Sequence, residues 1–175
     1  TTLADIQAKG ELVIGLDDTF APMGFRDESG NLVGFDIDLA TAVCEELGVK
    51  ATFQPIDWDA KEMELSSGNI DCIWNGMTIL DELKENIDFS MPYSGNMQVC
   101  VVRAEDAGTY QSTEDMVGAN IAVEAESAGQ KAVEADENLS QAEMVAVGAQ
   151  SDTLMEVAAG TSDVAVIDAV MAYAS

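Results

Sequence analysis

Histidine is absent from the 175 residues, and basic residues are scarce, with 7 Lys and Arg against 33 Asp and Glu. Without an imidazole, a Ser-His-Asp hydrolase or a Cys-His protease lacks its usual base, and a zinc enzyme lacks its usual ligand. The formal net charge of −26 is spread along the chain and not gathered in a tail. Such a surface repels nucleic acid phosphates and anionic lipid headgroups alike, so neither nucleic acid nor a membrane is an expected partner. No apolar run reaches the length of a spanning helix, about 18 residues or more. No charged-then-apolar leader precedes Thr1, so an exported parent is expected to have lost its signal. Cysteine occurs three times, as Cys44, Cys72 and Cys100. The count is odd, the spacing is not that of a metal site, and each lies in an apolar helix or strand pattern, so buried free thiols are expected. The nine methionines are scattered, which suits gap-filling in cores and not a metal or cofactor box. No cofactor is expected.

What is present is apolar material, 47% of the chain, enough for packed cores in one large domain or two small ones. Glu11 to Leu16 is a short apolar run ending in the polar turn Asp17-Asp18-Thr19, a buried strand followed by a loop. Asp27 to Gly30 with Asn31 is a turn between short extended pieces. In Gly34 to Leu47 (GFDIDLATAVCEEL) the residues Ala40, Val43, Cys44 and Leu47 fall at i, i+3, i+4 and i+7, one face of an amphipathic helix. Asp36 and Asp38 stand at its start and Gly48 just past its end. Ala51 to Ile56 reads as a second strand, Asp57 to Ser67 as a helix capped by Gly68, and Ile70 to Trp74 as a third strand, with Trp74 a core residue.

The passage through Pro92 and Tyr93 divides residues 1–93 from 94–175, and then the grammar repeats. Gln98 to Arg103 is a strand, Ile121 to Val123 another, Glu124 to Gly129 a polar loop and Gln130 to Ala135 a helix. Glu143 to Val147 is a strand, Asp152 to Ala159 a helix closed by Gly160, and Val164 to Ile167 a strand ending at Asp168. The expected fold class is α/β, with two successive βαβαβ halves built on parallel sheets. Parallel strands place their carboxyl ends along one edge, where ligands bind open α/β sheets. In the first half that edge gathers Asp17 to Phe20, Asp57 to Asp59 around Trp58, and the turn Asn75-Gly76-Met77-Thr78. Carboxylates, aromatics and a polar turn converging from distant sequence favour a binding site over three unrelated turns.

The order of residues in Gly34 to Leu47 resembles the signature of the family 3 extracellular solute-binding proteins, the polar amino-acid receptors of ABC importers. The resemblance implies a two-lobed, type II periplasmic-binding-protein-like fold that closes by a hinge on a small zwitterion, expected to be an amino acid, and delivers it to a permease. It implies that Asp17 to Pro22 is the loop whose aromatic, here Phe20, stacks on the ligand, with Trp58 as a second ring. Gly76 and Thr78, in the turn with Asn75 and Met77, would hold the ligand's ammonium and carboxylate. Ser127, with Ala128 and Gly129, matches the helix N-terminal loop whose N–H groups receive the carboxylate, and Asp168 matches the acid that pairs with the ammonium. Glu124 and Glu126 are read equally as contacts for a cationic ligand group or as solvated loop charges. The same resemblance implies no enzymatic activity and an extracytoplasmic location, in a periplasm or lipid-anchored at a cell surface. Its rivals are a cyclohexadienyl-dehydratase-like enzyme, which would use Asp17 or Asp168 as a positioned acid, and the ligand-binding part of a signalling receptor.

Two departures from the family pattern stand out. Family members usually complete the first lobe with roughly fifty further residues, about a quarter of the fold. The short C-terminus therefore predicts an incomplete first lobe and self-association or exchange of elements between chains. Counting back from Asn86-Ile87-Asp88-Phe89-Ser90 places Leu83 where the family carries the arginine that grips the α-carboxylate, and Lys84 would point elsewhere on a helix. Leu83→Arg is expected to raise affinity for free amino acids at least tenfold, about 1.4 kcal/mol, in titration calorimetry. Submicromolar binding by the parent chain with no gain from the substitution would show that the carboxylate is held by other groups.

Overall fold

The computed structural model describes residues 1–175. The chain divides into two compact units, Thr1–Ser90 and Met91–Ser175. In the first, α1 (Leu3–Lys9) leads into β1 (Glu11–Leu16), and a small antiparallel sheet follows, made of β2 (Thr19–Phe20), β3 (Gly24–Arg26) and β4 (Leu32–Val33). Then come α2 (Phe35–Leu47), β5 (Lys50–Pro55), α3 (Lys61–Ser66) and β6 (Cys72–Ile73). The main sheet has the order β5-β1-β6, all parallel, with Glu11 opposite Lys50, Leu16 opposite Pro55 and Ile14 opposite Cys72.

The helix expected from Asp36 starts at Phe35, and Gly48 closes it with φ 71° by donating to the Cys44 and Glu45 carbonyls. Its buried face is Ile37, Ala40 and Cys44, and the half-buried Leu47 packs against the cluster that Ala40 and Cys44 form with Ile6, Ile14 and Val49. Asp36 is buried, so it is not a solvated dipole charge. The first N–H groups of the helix are received by a loop instead, Phe35 donating to the Pro22 carbonyl and Asp36 to that of Met23. The single helix expected over Asp57 to Ser67 is split into a 3₁₀ turn at Trp58–Ala60 and α3. The third strand shrinks to Cys72–Ile73, because the Asn69 and Ile70 N–H groups bond back to the Glu64 carbonyl at the end of the helix. Trp74 packs against the same core as Ile14, as expected of it.

The second unit runs β7 (Gln98–Val102), β8 (Asn120–Glu124), α4 (Ala128–Ala135), β9 (Glu143–Val147), α5 (Gln150–Ala159), β10 (Val164–Asp168) and α6 (Ala169–Ala172). Strands β8, β9 and β10 are parallel, as the βαβαβ pattern requires, and β7 is added antiparallel to β10 in the order β7-β10-β8-β9. Central β10 is buried at each of its five positions. A side chain such as Val164 or Ile167, fully enclosed, contributes about 1.5–3 kcal/mol relative to exposure. Cys44 is buried and Cys72 half-buried, but Cys100 is exposed, because a pleated strand sends alternate side chains to opposite faces. No helix is long and apolar enough to cross a membrane.

One clasp ties α1 to the strand that follows it and to the segment entering β6. Asp71 Oδ2 accepts from Lys9 Nζ at 2.5 Å and from the Val13 N–H at 2.8 Å. Burial would push this carboxyl up, but the Lys9 and Val13 hydrogen bonds and the Lys9 charge leave it below the ordinary aspartate range. A depressed folded-state value stabilises the fold above the unfolded pKa, about 3.9, and the gain is lost as pH falls through the folded value. Asp71→Asn is expected to cost on the order of 1 kcal/mol at neutral pH, since Lys9 is solvent-exposed and screened. In urea titrations the gap between the two proteins should be constant above about pH 5 and close progressively below pH 4.

Candidate functional site

In the first unit the parallel sheet brings the expected segments to one edge. Asp17 and Phe20 follow β1, Trp58 follows its neighbour β5, and Asn75 to Thr78 follow its other neighbour β6. Asp17 Oδ1 accepts from the Thr19 N–H at 2.8 Å and from Thr19 Oγ1 at 2.6 Å, which fixes the entry to the β2–β4 hairpins. Phe20 is buried beneath the turn after β6: a Cβ at Gly76 would lie 2.6 Å from Phe20 Cε1 and 3.1 Å from Met23 Cγ. Only glycine lets the turn approach the ring this closely. Asn75 is buried, whereas Met77 and Thr78 are half-buried.

Trp58 is buried and carries a cation over its ring, Lys61 Nζ lying 4.9 Å from the ring centroid. Leu83 stands half-buried at the start of a 3₁₀ turn, Leu83–Glu85, and its neighbour Lys84 is held on the surface by Asp81 at 2.7 Å. The Cys72 thiol, near the same edge, is pushed up to about 12 by burial, by Asp71 and by Cys44, so it stays protonated and unreactive.

In the second unit the ends of β8, β9 and β10 and the start of antiparallel β7 share an edge, with Asp168 directly opposite Gln98. Asp168 is 5% exposed. Its Oδ1 accepts from Asn96 Nδ2 and from Gln98 Nε2, the latter at 2.7 Å, and its Oδ2 accepts from Gln150 Nε2 at 2.5 Å. Gln150 also receives the Asp168 N–H at 3.0 Å. The hydrogen-bond donors to this buried carboxylate are therefore neutral carboxamides, and no lysine or arginine pairs with it.

Beside it, α4 begins two residues earlier than the pattern suggested, so Ala128 and Gly129 form its first turn and Ser127 is the N-cap. Ser127 Oγ donates to the Glu124 carbonyl at 2.7 Å and accepts the Gln130 N–H at 3.2 Å. Glu126 enters the cap at φ 56°, a left-handed conformation uncommon for such a residue. Glu124 is buried, so it is not a solvated loop charge, while Glu126 is exposed. A Cβ at Gly129 would lie 2.6 Å from the Val166 carbonyl oxygen and 3.3 Å from Gln98 Oε1. Glycine thus lets the start of α4 sit on β10 within reach of the Asp168 cage.

Asn96, Gln98, Gln150 and Lys61 were not singled out by the sequence reading. The available signal was faint: Gln98 is a polar residue opening an otherwise apolar strand, Gln150 opens a helix of mixed polarity, and Lys61 is one of few cations, three residues after a tryptophan. No group of three or more Cys, Asp or Glu side chains is arranged to hold a metal ion.

A family model described as bacterial extracellular solute-binding proteins, family 3, matches residues 12–165. Over 121 residues, 69% of this chain and 46% of the relative, the sequence is 34% identical to the L-cystine-binding protein TcyJ of Escherichia coli (strain K12). It is 30% identical over 157 residues, 90% of this chain and 60% of the relative, to an L-arginine-binding protein of Pseudomonas aeruginosa. The matched part spans about half the length of these curated relatives. The crystal structure of an ancestral amino acid-binding protein, a precursor of cyclohexadienyl dehydratase, superposes with TM-score 0.93 at 36% identity, covering 99% of this chain and 77% of that one.

Gln150→Leu removes both the donor to Asp168 Oδ2 and the acceptor of the Asp168 N–H. Each buried polar group left unmatched costs about 1–3 kcal/mol, more for a charged one. Urea denaturation is expected to show a loss of at least about 2 kcal/mol with an unchanged slope. A loss within ±0.5 kcal/mol, the usual range of surface substitutions, would show that Gln150 carries no such role.

Proposed function

Because the chain belongs to the bacterial extracellular solute-binding proteins, family 3, we infer that it is the amino-acid receptor of an ABC importer, working outside the cytoplasm by capture and delivery and not by catalysis. The observation that carries this reading is Asp168. A carboxylate this buried needs a countercharge, and its carboxamide partners supply none. They occupy three of its roughly four lone-pair directions and leave one for an incoming N–H. The first turn of α4, whose N–H groups have no intrahelical acceptor, favours an anionic group nearby. Both ends of a zwitterion are thus provided for on the second unit.

In this reading Asp168 receives the ligand's ammonium, and the N–H groups of Ala128 and Gly129, after the Ser127 cap, receive its carboxylate. On the first unit Phe20 and Trp58 bound the ligand's side chain, with Asp17 and the Asn75-Gly76-Met77-Thr78 turn completing the contacts. The relatives named for L-cystine and L-arginine support an amino acid as the ligand class, and a membrane permease as the recipient. The same kinship supports a location in a periplasm or at a cell surface.

A thermal-shift panel of the common amino acids with L-cystine tests the reading. A ligand at 100 times its dissociation constant stabilises the native state by about 2.7 kcal/mol, a visible shift, and prephenate and arogenate should be neither consumed nor converted. For the amino acid that binds, Asp168→Asn is expected to lower affinity by roughly 2 to 5 kcal/mol in titration calorimetry. Unchanged affinity would remove Asp168 from the site, and silence across the panel would overturn the receptor reading.

A further inference from the structure

Lysine is rarely buried, and this chain has only 7 cations, yet Lys61 is 4% exposed. It opens α3, three residues after Trp58, and a spacing of three places the two side chains on one face of the turn. Its Nζ lies 4.9 Å from the centroid of the Trp58 ring and donates to the Trp58 carbonyl at 3.2 Å. The distance is within the roughly 6 Å at which a cation is attracted to an indole face. Trp58 is itself 7% exposed, so its ring is held in place by a charge belonging to the chain.

We propose that Lys61 is a specificity-determining residue that turns the Trp58 surface against cationic side chains, so that the receptor selects amino acids with uncharged side chains. This rests on the assignment of Trp58 to the ligand site. One indole face is taken by the lysine, which leaves a ligand group only the other face or the edge. The attraction of a cation to an indole comes from the negative potential of its faces, and a cation already on one face draws that potential to itself. A guanidinium or ammonium brought to the remaining surface also meets a like charge across the thickness of the ring, in surroundings where burial weakens screening. An uncharged side chain pays neither penalty and keeps the full benefit of apolar contact. The Lys61–Trp58 pair thereby opposes, locally, the attraction that a net charge of −26 exerts on cations in general.

L-arginine and L-citrulline, a charged guanidinium and its uncharged urea counterpart of the same shape, separate the two effects by titration calorimetry. The wild-type protein is expected to bind L-citrulline at least tenfold more tightly than L-arginine. Lys61→Met should reduce that ratio at least fivefold, whereas Lys61→Arg, which keeps the charge, should preserve it. A purely structural role for Lys61 would weaken both ligands alike and leave the ratio unmoved. An unchanged ratio in Lys61→Met, or L-arginine bound at least as tightly as L-citrulline by the wild type, overturns the proposal. Rejection of both ligands by a protein that binds other amino acids overturns it too, since size and not charge would then discriminate. Silence across the whole amino-acid panel instead overturns the receptor reading beneath it.

Discussion

Burying one carboxylate without a countercharge is the constraint on which the second unit depends. Asp168 ends a strand enclosed at every position, and its side chain cannot turn to water. Its oxygens are therefore met by amide donors from the segment before β7, from the first residue of β7 and from the first residue of α5. Those contacts fix where β7 joins the sheet and how α5 approaches it. Antiparallel β7 is what brings Gln98 opposite Asp168; a parallel strand in the same place would have carried its first residue to the far edge of the sheet.

The first unit solves a different problem with the same sheet logic. Its strands end in turns, and beside the polar Asp17 and Asn75 they carry two buried rings, Phe20 under Gly76 and Trp58 under Lys61. The electrostatics differ accordingly. Where the second unit buries an anion among neutral amides, the first buries a cation on an indole. A buried cation is thus found in the first unit alone, beside the buried acids Asp17 and Asp36, while the second unit buries the acids Glu124 and Asp168.

Most of the strand-and-helix order was legible because its signals are local. The run Glu11 to Leu16 is a strand with the expected bounds, Gly48 and Gly160 stop their helices as read, and Val164 to Asp168 forms the innermost strand. Failures came where the hydrophobic period does not tell how the backbone is hydrogen-bonded or which strand face is covered. The break between Trp58–Ala60 and α3, the two-residue β6 and the exposure of Cys100 leave no trace in hydrophobic period. Within the candidate site, Asp168 was legible as an acid closing an apolar strand. Asn96, Gln98 and Gln150 were not, since an amide near sequence positions far from its partner looks like any polar residue. Lys61 was hidden for the opposite reason: lysine on a short helix reads as a solvated charge until the ring beneath it is seen.

The closeness of Gly129 to the Val166 carbonyl oxygen carries a consequence for how this chain can diversify. Any side chain there would displace α4 from β10, and Gly76 is held to the same minimum by Phe20. One stretch of main chain in each unit is thus closed to side chains, and its shape is inherited unchanged. Descendants of this chain can change instead at positions such as 58, 61 and 83, where the side chain can vary without a glycine's close approach being lost. What these two turns shape is then kept by geometry, and variation is confined to the side chains around them.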